Sequence, residues 1–227
     1  MREVLRGPRD VLEVWATERA LAAESWLREA AVRAQVRPER EVSEAAATRD
    51  HQGVLAWCEP YRYADAYELA EAERPLLACL DQVTDPRNLG AVCRSAEGAG
   101  ATGVVVPAHG AARVTAAVCR ASAGAVEHLA VAVVPNLARY LNEIKRGDLW
   151  IYAASAEAER SLWEADLNGG LALVFGAEGK GVRPLVRRAC DDDVSIPLAG
   201  KVESLNVSVT AGIALFEAAR QRRRGPG

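Results

Sequence analysis

From Leu76 onward, short apolar runs alternate with amphipathic stretches at a regular pace. Leu76–Leu80, Gly103–Pro107, Ala130–Val134, Leu149–Ala153 and Leu171–Phe175 are apolar at successive positions rather than at every second one. A strand apolar on both faces belongs to a sheet covered on both sides, and alternation with helices makes that sheet parallel. The helical stretches are Asn88–Gly100, Val114–Val126, Leu137–Lys145 and Pro184–Ala189. Val194–Pro197 reads as a further short strand. A long final helix follows over Leu205–Arg223, with Leu205, Val209, Ile213 and Phe216 expected on its core face.

The region before Leu76 has a different rhythm. Val11–Trp15 and Val54–Trp57 read as short strands and Ala20–Arg33 as an Ala-rich helix, while His51-Gln52-Gly53 reads as a turn at the mouth of the second strand. Glu59–Pro75 is polar, Tyr- and Glu-rich, and bracketed by prolines, which predicts a linker. The expected organisation is a small α/β domain with its linker over 1–74 and a larger α/β domain over 75–227.

Composition narrows the class. With 227 residues, half of them hydrophobic and 26% charged, the chain is an ordinary globular protein and not a disordered or low-complexity one. No apolar run reaches the roughly 18 residues of a membrane span, and Met1 leads into Arg2 and Glu3 rather than a signal peptide. Cys58, Cys79, Cys93, Cys119 and Cys190 form no CxxC pair, so reduced thiols and a cytoplasmic location are expected. His51, His109 and His128 are scattered, so no metal site is expected. The formal charge is −3, and residues 1–74 hold 11 Lys and Arg against 15 Asp and Glu. Any affinity for nucleic acid must then rest on local arginines rather than on a global field. Of 28 basic residues, 25 are Arg, the better phosphate fork.

Parallel sheets place ligands beyond the C-terminal ends of their strands. Three segments there are unusually polar or Gly-rich. In the first, Asp85-Pro86 offers a helix start with proline at the first helical position, although Asn88 serves equally as cap. Alone, it reads more readily as a capped surface helix with a solvated Arg94 than as a site. In the second, Gly176, Gly179 and Gly181 surround Glu178 and Lys180 after an apolar strand, a backbone able to wrap a ligand or simply to turn. It lacks the residues of a triphosphate-binding loop. In the third, Ser204, Asn206 and Ser208 open the last helix with more polar groups than one cap requires.

Together these strings, DPRNLGAVCRSAEGAG (85–100), LALVFGAEGKGV (171–182) and SIPLAGKVESLNVSV (195–209), resemble the three motifs of the SpoU (TrmH-type) family of SPOUT RNA 2′-O-ribose methyltransferases. HQGV (51–54) and YRYADAYEL (61–69) are similar to its RlmB branch, whose members methylate a guanosine of 23S ribosomal RNA. The resemblance implies a trefoil-knotted α/β domain behind a small ribosomal-protein-like α/β unit that grips RNA. It implies S-adenosyl-L-methionine as donor and a homodimer with sites at its interface. It also implies catalytic roles for Asn88, Arg94, Glu178, Ser204 and Asn206, and donor-binding roles for Gly176, Ile196 and Leu205. Arg94 is implied to help ionise the ribose hydroxyl, with Asn88 and Glu178 orienting it. Because a guanidinium normally stays protonated, a clamp on the target phosphate is the alternative. Arg220, Arg222, Arg223 and Arg224 match the dipole of the final helix and are also placed to touch RNA backbone. The same motifs occur in enzymes acting on tRNA and in antibiotic-resistance methylases. A non-catalytic RNA-binding module of this fold is the remaining alternative.

Overall fold

The computed structural model describes residues 2–29, 33–46, 48 and 50–224, with Glu29 and Arg224 described by backbone alone. It divides into two units, Met1–Arg62 and Tyr63–Gly227.

The first unit runs β1 (Val11–Ala16), α1 (Glu18–Ala23), α2 (Ser25–Glu29), β2 (Gln35–Val36), α3 (Glu39–Ala46) and β3 (Val54–Cys58). Its sheet has the order β2-β1-β3, with β2 parallel and β3 antiparallel to β1. The Ala20–Arg33 pattern gives two short helices, because Glu24 leaves the helical conformation as its N–H closes on the Ala20 carbonyl at 2.9 Å. Restarting at Ser25 turns Trp26 and Leu27 onto the core of Val14, Ala16, Ala20 and Val54. Residues 30–32 of that expected helix lie outside the described residues. The HQGV turn is a structural tie. Buried His51 accepts from the Gly53 N–H at 2.9 Å and meets the Ser43 hydroxyl of α3 at 2.8 Å.

The second unit opens with α4 (Ala66–Glu71), where the sequence predicts only linker. Its buried positions, Ala66 and Ala70, are too small to stand out as an apolar stripe. Asp65 caps it, accepting from the Tyr67 and Glu68 N–H groups, and the Tyr140 hydroxyl donates to the Ala66 carbonyl at 2.8 Å. The chain continues as β4 (Leu76–Asp81), α5 (Pro86–Gly98), β5 (Gly103–Pro107), α6 (Ala116–Ala121), β6 (Ala130–Val134), α7 (Leu137–Ile144), β7 (Leu149–Ala154), β8 (Gly170–Gly176), α8 (Pro184–Arg188), β9 (Asp192–Val194) and α9 (Val207–Arg224). The sheet is parallel throughout, in the order β6-β5-β4-β8-β7-β9. Every residue of β4 and β5 is buried. On one face Leu77, Cys79, Val105, Ile151 and Val174 pack against α4, α7 and α8. The other face is covered by α5 and α9, with α6 packed on α5.

Three expectations shift. Val114–Val126 is not one helix. After α6 the chain turns through Ala123 and Gly124, both with positive φ, into a 3-10 turn at Ala125–Glu127. The last strand starts two residues and ends three residues earlier than expected, at Asp192–Val194. Asp191 anchors it by bonding the Ile151 N–H at 2.9 Å, and Ile196 is released from the sheet ahead of Pro197. The third concerns α9. Its core face is Val207, Ala211, Ala214, Leu215, Ala218 and Ala219, whereas Val209 and Phe216 are 48% and 51% exposed, with Ile213 half-buried between them. The helix is apolar on two sides. Periodicity selected the bulky stripe, while the sheet took the small one.

The arginines ending α9 mostly hold structure. Arg220 pairs with Glu217 at 2.6 Å. Arg222, its pKa lowered chiefly by burial and then by Arg74, donates to the carbonyls of Arg74 at 3.0 Å, Pro75 at 2.8 Å and Gly169 at 2.6 Å. Arg223 is exposed and makes no hydrogen bond or ion pair among the described residues, and the Arg224 side chain lies outside them. Arg222 thus latches the last helix to the segments that open β4 and β8. Arg222→Ala is expected to lower stability by about 3 kcal/mol, since it removes several hydrogen bonds from a charged donor at once. The matching fall in melting temperature is roughly 6 to 12 °C, measurable by thermal denaturation.

Candidate active site

The strand order reverses between β4, which leads through α5 to β5, and β8 on its other side. Their last residues, Asp81 and Gly176, are register partners. In a parallel sheet this is where a ligand crevice opens.

Each of the three polar segments delivers one side chain to this place. Asp85 is the cap of α5, accepting from the Arg87 N–H at 2.8 Å, with Pro86 in the first turn. That settles the capping alternative and leaves the Asn88 side chain free to reach across. Its Nδ2 donates to Glu178 Oε1 at 3.2 Å, and its Oδ1 accepts from Asn206 Nδ2 at 3.1 Å. Asn206 also donates to Glu178. The Asn206 Oδ1 in turn caps α9, accepting from the Ser208 N–H at 2.8 Å and its hydroxyl at 2.6 Å. Asn88, Glu178 and Asn206 therefore close a ring of side chains from three separate segments, the first turn of α5, the loop after β8 and the entry to α9.

Glu178 rides on a tight loop. The Gly181 N–H donates to the Ala177 carbonyl at 2.9 Å, and Gly179 and Gly181 take left-handed φ of 72° and 65°. The loop folds back so closely that a Cβ on Gly176 would lie 2.0 Å from the Gly181 carbonyl carbon. Beside it opens a cleft of about 990 Å³. Its walls include Gly176, Glu178, Ile196, Ser204, Leu205 and Asn206, six of the eight predicted site residues. Ser204 makes no hydrogen bond among the described residues, so its hydroxyl is open to the cleft.

Arg94 stands apart. It lies six residues beyond Asn88 on α5, about 9 Å along the axis and two-thirds of a turn around it. It is exposed, does not line the cleft, and makes no hydrogen bond or ion pair among the described residues. Asn88 and Glu178 do not touch Arg94 of their own chain. Within one chain they bind each other and Asn206 instead.

The sequence reading missed two groups. Ser155 and Glu157, just past β7, also line the cleft, and the strand-end rule applied to β7 selects them. Buried Asp81 holds Arg183 through its carboxylate at 2.7 to 3.2 Å. A lone Asp closing an apolar strand was its signal. No cluster of three His, Cys, Asp or Glu side chains able to hold a metal ion occurs among the described residues, and no helix among them is long and apolar enough to cross a membrane.

Comparison with known proteins places this geometry. The chain is 44% identical over 193 residues to the 23S rRNA (guanosine-2'-O-)-methyltransferase RlmB of Shewanella oneidensis, covering 83% of this chain and 78% of that one. It is 40% identical to the RlmB of Vibrio cholerae, covering 96% of this chain and 87% of the relative. The solved structure of the SpoU methyltransferase AviRb from Streptomyces viridochromogenes, in complex with AdoMet, superposes with a TM-score of 0.83 at 25% identity. That likeness covers 98% of this chain and 87% of AviRb. The family model for SpoU rRNA methylases matches residues 75–216, which hold the sheet, the side-chain ring and the cleft, and the chain belongs to the SpoU rRNA methylase family.

Proposed function

We propose that the protein transfers a methyl group from S-adenosyl-L-methionine to the 2′-hydroxyl of a guanosine in 23S ribosomal RNA. The observation that carries the reading is the closed Asn88–Glu178–Asn206 ring beside the cleft at the β4/β8 crevice. It occurs in a chain whose relatives along most of its length are named for that reaction.

The cleft suits the donor. Its volume is at the upper end of small-molecule sites. Leu162, Phe175, Ile196, Leu198 and Leu205 give it apolar walls for an adenine and a methionine chain, and the bare backbone at Gly176 permits close approach. Glu157, Glu178 and Glu203 line it against Lys180 and Arg187, and Arg187 is already paired with Asp193 at 2.7 Å. That balance favours a cationic ligand. When bound, the donor supplies an electrophilic methyl group on a sulfonium.

The chain's own residues do the rest. Ser204 and Asn206 hydrogen-bond the donor or the ribose, and Glu178 holds its loop against α5 and α9. In-line transfer requires an aligned hydroxyl whose proton is removed. Arg94, exposed and without a polar partner among the described residues, meets the target phosphate or the ribose oxygen from outside the cleft.

That placement supports a homodimer in which Arg94 of one copy completes the cleft of the other. The exposed Val209–Ile213–Phe216 stripe beside α5 is a face for such a partner. The trefoil knot belongs to the same reading. Its support is the loop of residues 177–182 folded onto Gly176, and residues 196 and 204–207 lining the same cleft. Residues 1–62 are read as the RNA-gripping unit. There Trp15 meets Trp57 edge-on at 4.6 Å and Arg37 lies over the Trp15 ring, a pairing of aromatic and cation suited to bases. A ribosomal RNA substrate sets the site of action in the cytoplasm.

The test is transfer of tritiated methyl groups to unmodified 23S, 16S and tRNA pools. Label is expected in 23S RNA alone, as a 2′-O-methylguanosine. Label confined to tRNA overturns the substrate, and RNA binding without label in any pool overturns the enzymatic reading.

A further inference from the structure

The six residues from Ala177 to Val182 all line the cleft, and both ends of that loop bear on one residue, Asp81. At the entrance, Gly176 is the register partner of Asp81 in the sheet. At the exit, Arg183 places three donors on the Asp81 carboxylate. Its backbone N–H reaches Oδ2 at 2.8 Å, Nε reaches Oδ1 at 2.9 Å, and the terminal guanidinium nitrogen reaches Oδ1 at 2.7 Å. The Asp81 side chain is fully buried, whereas that of Arg183 is 44% exposed. No other described residue bonds that carboxylate. If Arg183 lets go, a charge is left buried and unpaired, which strongly opposes release.

We infer that Asp81 and Arg183 are a positioning pair that fixes the donor-binding loop, and with it Glu178, without touching donor or RNA. This rests on the donor reading of the cleft given above. Neither residue lines the cleft, yet together they set its one Gly-rich wall. The pair is asymmetric. Asp81→Asn keeps an acceptor of the same size for the Arg183 N–H and frees a side chain that water can reach. Arg183→Gln strands the buried carboxylate.

The experiment is calorimetric titration of AdoMet into the full chain, with steady-state methyl transfer alongside. In Asp81→Asn and Arg183→Gln the AdoMet dissociation constant is expected to rise about tenfold or more, while kcat at saturating AdoMet falls by less than about threefold. Arg183→Lys, which keeps the charge but not the fork, is expected to fall between them and the wild type. The double variant is expected to be no worse than the weaker-binding single one, because both changes remove one interaction. Should Arg183→Gln fail to fold, Asp81→Asn and Arg183→Lys carry the test. Folded variants that bind AdoMet like the wild type, or losses that multiply in the double variant, overturn the inference. A wild-type protein that binds no AdoMet overturns the donor reading itself.

Discussion

Gly176→Ala is expected to abolish AdoMet binding and to destabilise the larger unit, although it adds a single methyl group. The new Cβ would stand 2.0 Å from the Gly181 carbonyl carbon, 2.1 Å from its oxygen and 2.2 Å from the Val182 nitrogen. All three are backbone atoms, so no flexible side chain can swing aside. The loop cannot slide either, because its exit is held by Asp81 through Arg183. Relief requires either breaking that buried pair or prising β8 from β4, whose Gly176 and Asp81 ends are in register. Overpacking of this kind costs about 1 to 3 kcal/mol and sometimes more. Because the displaced loop is a wall of the cleft, a weakening of at least roughly 100-fold in AdoMet affinity is expected. The control is Gly147→Ala, whose Cβ would meet nothing within 4 Å. Its affinity and melting temperature are expected to match the wild type. Normal titration of Gly176→Ala with AdoMet would show that the fold-back is dispensable.

Such a position shows what a chain announces and what it conceals. The larger unit was legible because β4, β5, β6, β7 and β8 are apolar almost throughout and alternate with helices, the pattern of a parallel sheet covered on both faces. The Gly-rich loop was visible as composition. The reason Gly176 must be glycine was not, since its neighbour is the backbone five residues on, brought back onto it by the tight turn that the Gly181 N–H closes on the Ala177 carbonyl. The smaller unit was less legible for a different reason. Strand β2 has two residues, both exposed, and α3 buries only Val42, so neither carries a periodic signal. Helix α4 hid among polar residues because alanines do its packing.

The side-chain ring was half visible. Asn88, Glu178 and Asn206 stood out as polar residues in the right segments, but their bonding to one another follows from the sheet placing α5, the β8 loop and α9 around a single crevice. The α9 stripe misled for a physical reason. Val209, Ile213 and Phe216 obey helical spacing as well as any core face does, and spacing says nothing of which partner covers it. The second copy proposed above would cover that half-exposed stripe.

Arg94→Ala is expected to reduce methyl transfer by about 10² to 10³-fold or more while leaving AdoMet affinity within about twofold. The split follows from geometry, because Arg94 is outside the cleft that holds the donor and bonds to nothing that holds it. Asn206→Ala is expected to be comparably inactive for the opposite reason. It opens the ring beside the donor and removes the cap of α9, at a stability cost of about 1 kcal/mol. If Arg94 acts on the cleft of the partner copy, the two defects lie on different sides of one composite site. Unfolding and refolding an equal mixture of the two variants then makes half the dimers mixed, each with one intact site. Activity is expected to return to about one quarter of the wild-type level. No recovery above either variant alone, with mixed dimers verified by differential tagging, would place Arg94 and Asn206 in one site of one chain. Arg94→Lys separates the two roles open to the guanidinium. Substantial activity with an alkaline optimum favours proton removal from the ribose hydroxyl. A fall in RNA affinity alone, with a flatter dependence of binding on salt, favours the phosphate clamp.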